Sequence, residues 1–123
     1  MIMRALVCKE FGPTENLALE EVATPTPGKG EILMEIKATG VNFPDVLTVQ
    51  GKYQFKPELP FIPGAELAGI VSAVGEGVTS RKVGDKVIAT TQVGAFAEQC
   101  VVSEHTTFEM GNTMSFEQAA GLL

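Results

Sequence analysis

The alternation of apolar and polar side chains along residues 32–39 constrains the fold of this chain most strongly. One face of that segment carries Ile32, Met34, Ile36 and Ala38, and the opposite face includes Glu35 and Lys37. Successive side chains of a strand point to opposite faces, whereas a helix repeats every 3.6 residues. The period of two therefore predicts a half-buried antiparallel strand over residues 32–41.

Further short apolar segments repeat this strand signal along the chain. They predict strands over residues 3–7, 17–22, 67–74, 86–90, 95–102 and 106–109. The 13 glycines and 7 prolines suit the many turns that such strands require. Helical patterns are confined to residues 43–49 and to the segment that begins at Ser115, where Gln118 completes a capping-box pattern. The sequence thus predicts a mainly β fold, a partly open barrel or sandwich with one or two short helices.

Charge and composition exclude several classes of partner. The chain has 123 residues, enough for one domain, and a net charge of −6 that argues against a nucleic-acid or anionic-membrane surface. No apolar run approaches the ~18–20 residues that span a bilayer. The N-terminus lacks the pattern of a signal peptide. The two cysteines, Cys8 and Cys100, form no CxxC motif, so we expect reduced thiols and a cytoplasmic location.

Two common catalytic patterns have little support. The only G-x-G, Gly75-Glu76-Gly77, is followed by "VTSRKVGD", which does not open a helix on which a pyrophosphate could bind. We expect a hairpin turn there. The single histidine, His105, lies in a polar segment, which gives a hydrolytic triad or a histidine metal cluster little basis.

The segment from Gly40 to Tyr53 is compatible with both a structural and a functional role. Asn42 is a good N-cap, Pro44 suits a first helical turn, and Asp45 favours the positive end of the helix dipole. Helix capping therefore explains these three residues without a substrate. It does not explain Tyr53 or the apolar loop that follows it, so an active-site wall remains the alternative.

Four motifs resemble the quinone oxidoreductases of the medium-chain dehydrogenase/reductase superfamily. They are "NFPDVLTVQGKY", "PGAELAGIV", "VGDKV" and "SFEQAAGLL", and the resemblance covers essentially the whole chain. It implies a GroES-like, partly open β-barrel catalytic domain over residues 1–114. It also implies that residues 115–123 begin a helix leading to a Rossmann domain, which this chain lacks. We therefore expect an N-terminal fragment or truncated product that is inactive by itself.

The resemblance also bears on the metal. Zinc-dependent alcohol dehydrogenases of that superfamily carry Cys where this chain has Asn42, and His where it has Ala65. Neither residue supplies the thiolate or imidazole that Zn²⁺ prefers. Nothing between Val87 and Gly94 matches the lobe of four cysteines in those enzymes. We therefore expect no metal.

The implied function is an NADPH-dependent, zinc-independent reduction of a quinone or enone, with NADP(H) bound mainly by the absent domain. The resemblance makes Asn42 a contact of the nicotinamide or the acceptor, Tyr53 a catalytic hydrogen-bond donor, and Asp45 the residue that orders this segment. From residue type we add Phe43 and Phe55 as pocket walls. Glu66 is either a pocket residue or a structural, hydrogen-bonded carboxylate.

Two alternatives stay open. The domain could be a non-enzymatic GroES-like binding or interaction module, or it could belong to an enoyl-thioester or alkenal reductase of the same superfamily. The full-length protein is expected to be a homodimer that binds a small-molecule acceptor, with neither a nucleic-acid nor a membrane partner. The nucleotide preference depends on residues outside this chain.

Overall fold

The structure is a computed structural model that describes residues 1–111 and 113–121. These residues form seven β-strands, two α-helices and two 3-10 turns. The strands are β1 (Ile2–Val7), β2 (Ala18–Ala23), β3 (Glu31–Gly40), β4 (Glu66–Val74), β5 (Lys86–Thr90), β6 (Gln99–Ser103) and β7 (Thr107–Glu109). The helices are α1 (Phe43–Gln50) and α2 (Phe116–Ala120), and the 3-10 turns are Thr14–Asn16 and Glu104–Thr106.

The described strands form two open, antiparallel sheets. The larger sheet has the order β6-β3-β4-β5-β7, and the smaller one pairs β1 with β2. Single bridges from Ala5 to Ala97 and from Cys8 to Phe61 connect β1 to the rest of the chain. The prediction of a mainly β fold with one or two short helices is confirmed, and the described residues contain no Rossmann-like arrangement.

The core lies against both faces of the five-stranded sheet. One face is packed by Ile32 and Met34 of the predicted alternation in β3, together with Leu67, Val71 and Val87. Ala38, predicted on that face, packs in the cluster on the other face, because the pairing of β3 with β4 shifts between Ile36 and Ala38. On the other face α2 packs against β3 and β4. There Ala119 and Ala120 contact a buried cluster that includes Ala68, Ile88 and Met110. The central strand β4 is therefore covered on both faces.

One predicted strand is shorter than its sequence pattern. The alternation predicts a strand over residues 95–102, but β6 begins only at Gln99. In the preceding residues, backbone hydrogen bonds go to other parts of the chain: Leu6 N–H donates to the Phe96 carbonyl, and Glu98 N–H donates to the Arg4 carbonyl. This segment thus forms a bridge to β1, and the only backbone hydrogen bond that it shares with β3 in the described part of the chain runs from the Ile36 N–H to the Glu98 carbonyl.

The predicted helix starts are confirmed in the described residues. Gly75-Glu76-Gly77 forms a turn within the connection of residues 75–85 between β4 and β5, and is not by itself a tight hairpin. Helix α1 begins after Asn42 and ends at Gly51, whose φ of 73° is a left-handed conformation that suits glycine. Helix α2 begins after Ser115, whose hydroxyl accepts from Gln118 N–H. Leu122 and Leu123, the end of the predicted helical segment, lie outside the described residues. No helix in the described part of the chain is long and apolar enough to cross a membrane.

Candidate functional site

A cleft of about 280 Å³ lies between α1 and the loop that follows it. The helix contributes Pro44, Asp45 and Thr48, and the loop contributes Tyr53 and Phe55. The remaining wall comes from the residue before β4 and the two residues after β5: Ala65, Thr91 and Gln92. The cleft thus gathers three of the predicted site residues, Asp45, Tyr53 and Phe55, together with Ala65.

The first turn of α1 holds Asp45 in place. Its carboxylate accepts a 2.9 Å hydrogen bond from the Asn42 N–H, as in a capping box. Only 7% of Asp45 is exposed. Burial raises the pKa of the Asp45 carboxyl, and the hydrogen bond from Asn42 partly opposes that shift. One helical turn further along, the Thr48 hydroxyl donates to the Pro44 carbonyl at 2.8 Å.

Tyr53 and Phe55 form the loop side of the cleft. Tyr53 is 37% exposed, and within the described residues its hydroxyl has no hydrogen-bond partner. A phenol both donates and accepts a hydrogen bond, so this hydroxyl can serve a bound carbonyl or oxyanion. Phe55 is half-buried and adds an apolar surface that limits the access of water.

Asn42 and Glu66 are joined beside the cleft. The Asn42 Nδ2 donates to Glu66 Oε1 at 2.8 Å, across 24 residues of sequence. Glu66 is the first residue of β4 and follows Ala65 directly, so the pair adjoins the cleft wall. Neither of these two predicted site residues lines the cleft itself.

Phe43 is placed differently from the other predicted residues. Its side chain is 72% exposed and lies outside the lining of the cleft. Val41, two residues earlier, is also 72% exposed. The two side chains therefore add apolar surface near the N-terminus of α1.

Sequence reasoning missed Thr48, Thr91 and Gln92. Thr48 lies one helical turn beyond Pro44, and its apolar neighbours in the sequence gave no functional signal. Thr91 and Gln92 reach the cleft because β5 pairs with β4 in a register that sets Thr90 opposite Glu66. The Thr91 N–H then donates to the Ala65 carbonyl at 2.9 Å. Sequence alone does not specify this register.

The side chains of the cleft supply few metal ligands. Its described lining includes one carboxylate, from Asp45, and neither a thiolate nor an imidazole. Cys8 and Cys100 are buried elsewhere, and burial raises the pKa of the Cys100 thiol to about 11. His105 lies on a 3-10 turn with its side chain 83% exposed. Among residues 1–111 and 113–121, no three His, Cys, Asp or Glu side chains are grouped as metal ligands.

Comparison with known proteins identifies relatives of this chain. Residues 28–114 match the family described as the alcohol dehydrogenase GroES-like domain. The chain is 41% identical to the human synaptic vesicle membrane protein VAT-1 homolog, over 99% of this chain and 32% of that protein. It is 38% identical to the quinone oxidoreductase of Lama guanicoe, over 98% of this chain and 37% of that protein. The chain thus spans about a third of the length of these relatives.

Solved structures share the fold. A mycobacterial protein solved in complex with NADPH has a TM-score of 0.91 and 38% identity, over 98% of this chain and 38% of that one. A cobalt- and zinc-bound thermostable alcohol dehydrogenase from Pyrobaculum aerophilum has a TM-score of 0.90 and 31% identity, over 99% of this chain and 45% of that one. One fold therefore accommodates different sites, and the residues of each site must decide its chemistry. The chain belongs to the alcohol dehydrogenase GroES-like domain family, and among its relatives are the quinone oxidoreductases of the medium-chain dehydrogenase/reductase superfamily.

Proposed function

We propose that this chain is the catalytic domain of an NADPH-dependent, zinc-independent reductase that transfers hydride to a quinone or enone. The observation that carries the proposal is the composition of the cleft, which Tyr53 and Ala65 both line and which has no thiolate or imidazole among its described lining residues. An electron-poor acceptor does not need the Lewis acid that an alcohol dehydrogenase uses to polarise its substrate.

The side chains of the cleft divide the work between binding and stabilisation. Tyr53 donates a hydrogen bond to the acceptor oxygen as negative charge develops there. Phe55 and Pro44 pack against the acceptor and exclude water, which strengthens that hydrogen bond. The hydrogen bond between Asp45 and Asn42 holds the first turn of α1, which lines the cleft, in a fixed position.

The cofactor supplies the hydride and is bound mainly by a part of the protein outside these residues. NADPH is the proposed donor because the mycobacterial structure with the same fold is a complex with NADPH. Asn42, next to the cleft, is the residue of this chain proposed to contact the nicotinamide or the acceptor. By family resemblance we also propose a homodimer. Two free cysteines favour the reducing cytoplasm.

The proposal is tested by measuring NADPH oxidation with a panel of quinones and enones. The assay uses the longest polypeptide that the gene encodes, beside residues 1–123 alone. We expect turnover by the longer protein and none by residues 1–123, because the main cofactor surface is proposed to lie elsewhere. Replacing Tyr53 by Phe should lower kcat/KM for the acceptor about 10-fold by removing one hydrogen-bond donor.

Two controls sharpen the assay. Phe108→Leu alters an exposed aromatic residue on β7, outside the cleft, and should leave kcat/KM unchanged. A zinc chelator should also leave turnover unchanged. Loss of activity on chelation with recovery on adding zinc contradicts the zinc-independent proposal, and absence of NADPH-dependent turnover in the longer protein contradicts the reductase itself.

A binding or interaction module is the second candidate. The exposed side chains of Val41 and Phe43, each 72% accessible, favour it because they add apolar surface near the N-terminus of α1. Such a module would retain its partner after Tyr53→Phe and would lose it after Phe43→Asp. An enoyl-thioester or alkenal reductase would instead turn over an enoyl thioester or an alkenal, added to the same panel, faster than any quinone or enone.

A further inference from the structure

A second cavity, a groove of about 450 Å³, shares Thr91 and Gln92 with the cleft. The rest of its lining comes from the start of β3, the end of β5, β6 and the 3-10 turn after β6: Glu31, Thr90, Val101, Val102, Ser103 and Thr106. The cleft alone, at about 280 Å³, is smaller than most small-molecule sites, which occupy roughly 300–1,000 Å³. A ligand that fills the cleft therefore has room to continue into the groove.

The shared wall has one fixed residue and one free side chain. The Thr91 N–H donates to the Ala65 carbonyl at 2.9 Å, and its hydroxyl donates to the Val93 carbonyl at 3.0 Å. Gln92 is exposed, and its side chain has no hydrogen-bond partner among the described residues. Because the Gln92 side chain gives up no internal bond when it moves, it can swing aside for a ligand that passes between the cavities.

Most polar side chains of the groove are already bonded within the protein. The Thr106 hydroxyl donates to the Ser103 carbonyl at 3.0 Å, and the Ser103 hydroxyl accepts from the His105 N–H at 3.2 Å. The Glu31 carboxylate accepts from the Gly28 N–H at 2.8 Å. A polar ligand would therefore gain few new hydrogen bonds, whereas an apolar ligand would lose contact with water against the two valines of β6.

Charge restricts the ligand further. Glu31 carries the one charged side chain in the described lining of the groove. That lining contains no lysine, arginine or histidine to offset the carboxylate, so an anionic group placed there would be repelled. The net charge of −6 adds to this repulsion. The groove thus favours a neutral, apolar group.

We propose that the groove is a second subsite, which holds the neutral aliphatic substituent of a quinone while the quinone ring occupies the cleft. This inference rests on the proposed function and deepens it by naming the substrate class. The preferred acceptors are quinones with an aliphatic side chain. Unsubstituted quinones leave the groove filled with water, and acceptors with an anionic substituent meet Glu31.

The dependence of turnover on chain length tests the proposal in the longest polypeptide that the gene encodes. The acceptors are 1,4-naphthoquinones with a 2-alkyl chain of one to six carbons, assayed with NADPH. We expect kcat/KM to rise about 2-fold for each added methylene, because each leaves water but stays partly exposed in an open groove. The six-carbon quinone should thus exceed the one-carbon quinone about 30-fold. A six-carbon chain that ends in a carboxylate should lose most of this gain.

Three variants assign the gain to the groove. Val101→Asp places a carboxylate in the groove and should reduce the 30-fold ratio to less than about 3-fold. Val83→Asp is the matched control, because Val83 is exposed and lines neither cavity, and it should preserve the ratio. Gln92→Trp alters an exposed side chain, narrows the shared wall and should also lower the ratio, so it decides the question if Val101→Asp does not fold. A ratio that stays near 30-fold in the folded variants of Val101 and Gln92 overturns the subsite, as does a carboxylate-ended chain that keeps the whole gain.

A second measurement is independent of catalysis. In residues 1–123, the backbone ¹⁵N–¹H signals of Val101 and Ser103 should shift on titration with the six-carbon quinone and stay in place with the one-carbon quinone. Absence of these shifts overturns the subsite and leaves the reductase standing. Absence of NADPH-dependent turnover with every quinone in the longest polypeptide overturns the reductase, and the titration then decides separately whether the groove binds the chain.

Discussion

Asp45 and Glu104 are the two buried carboxylates of the described residues, and their surroundings shift the pKa in opposite directions. Burial raises the pKa of Asp45, as described above. Glu104 accepts from the Ser80 hydroxyl at 2.7 Å and from the Thr79 and Ser80 N–H groups at 3.4 Å each. These hydrogen bonds lower the pKa of Glu104, and the bond from the Ser80 hydroxyl has the largest effect. The charged form of Glu104 is therefore favoured. Its carboxylate connects residues 79–80 to the 3-10 turn after β6 through these hydrogen bonds.

Glu104→Gln should destabilise the protein in a pH-dependent way. Because the pKa of Glu104 is lower in the folded state than in the unfolded state, ionisation stabilises the fold above the unfolded-state pKa. This contribution is lost as the pH falls through the folded-state pKa. The variant should therefore unfold at a lower temperature than the unmodified protein at about pH 7, and the difference should shrink at about pH 3. Thermal unfolding followed by circular dichroism across this range measures it.

Glu109→Gln is the control for that experiment, because Glu109 lies nearby on β7 but is exposed. Its substitution should change the melting temperature little at either pH. A Glu104→Gln difference that is equal at both pH values would contradict the assignment of the stabilisation to the ionised carboxylate.

Residue-level prediction succeeded where the signal was local. The sequence predicted Asn42 as the N-cap of α1 and Asp45 in its first turn, and the structure places both there. The bond from the Asn42 N–H to the Asp45 carboxylate was not predicted. The Asn42–Glu66 contact was not predicted, because it spans 24 residues and depends on the register of β3 against β4. The catalytic and cofactor roles of Asn42, Tyr53 and Asp45 remain predictions, as do the pocket roles of Phe43, Phe55 and Glu66.

At the scale of elements, the alternation of apolar and polar residues predicts where a strand lies. The backbone hydrogen bonds to neighbouring segments determine where it ends. The strand predicted over residues 86–90 is found at those limits. The strand predicted over residues 95–102 loses its first four residues, because most of their backbone hydrogen bonds go to β1 and to the residues before β4. The alternation of apolar and polar residues indicates which face of the sheet each side chain occupies. It does not indicate which strand pairs with the segment.

Gly69 marks a place where element geometry requires a particular residue. It lies opposite Ile36, at one of the two register shifts between β3 and β4. A Cβ at this position would lie 2.0 Å from the Glu35 carbonyl oxygen, which is a backbone atom and cannot rotate away. Gly69→Ala should therefore lower the free energy of unfolding by about 3 kcal/mol or more. Urea unfolding monitored by circular dichroism measures the loss.

Gly111→Ala is the matched control, because a Cβ at Gly111 would meet no heavy atom within 4 Å. It should change the free energy of unfolding by less than about 1 kcal/mol. Equal stability of the Gly69→Ala and Gly111→Ala variants would show that β3 and β4 separate easily at this register shift.

At the scale of the whole molecule, the described residues share a packed sheet that α2 covers. The sequence predicted the start of this helix from Ser115 and Gln118, and the family resemblance made it a helix leading to another domain. Its side chains Ala119 and Ala120 are buried against the sheet, beside Ala68 and Ile88. A boundary after residue 114 remains a prediction, and local sequence could not reveal that α2 packs back onto β3 and β4.

Shortening the chain tests whether α2 belongs to the cooperative unit of this domain. Residues 1–114 lack the helix, so Ala68, Ile88 and Met110 would lose their cover. We expect the free energy of unfolding to fall by on the order of 3 kcal/mol relative to residues 1–121, since burial of one medium apolar side chain contributes roughly 1.5–3 kcal/mol. Urea unfolding of both chains measures the difference. Equal midpoints would mean that α2 packs without stabilising the sheet, and the domain would then end at residue 114 in energetic terms.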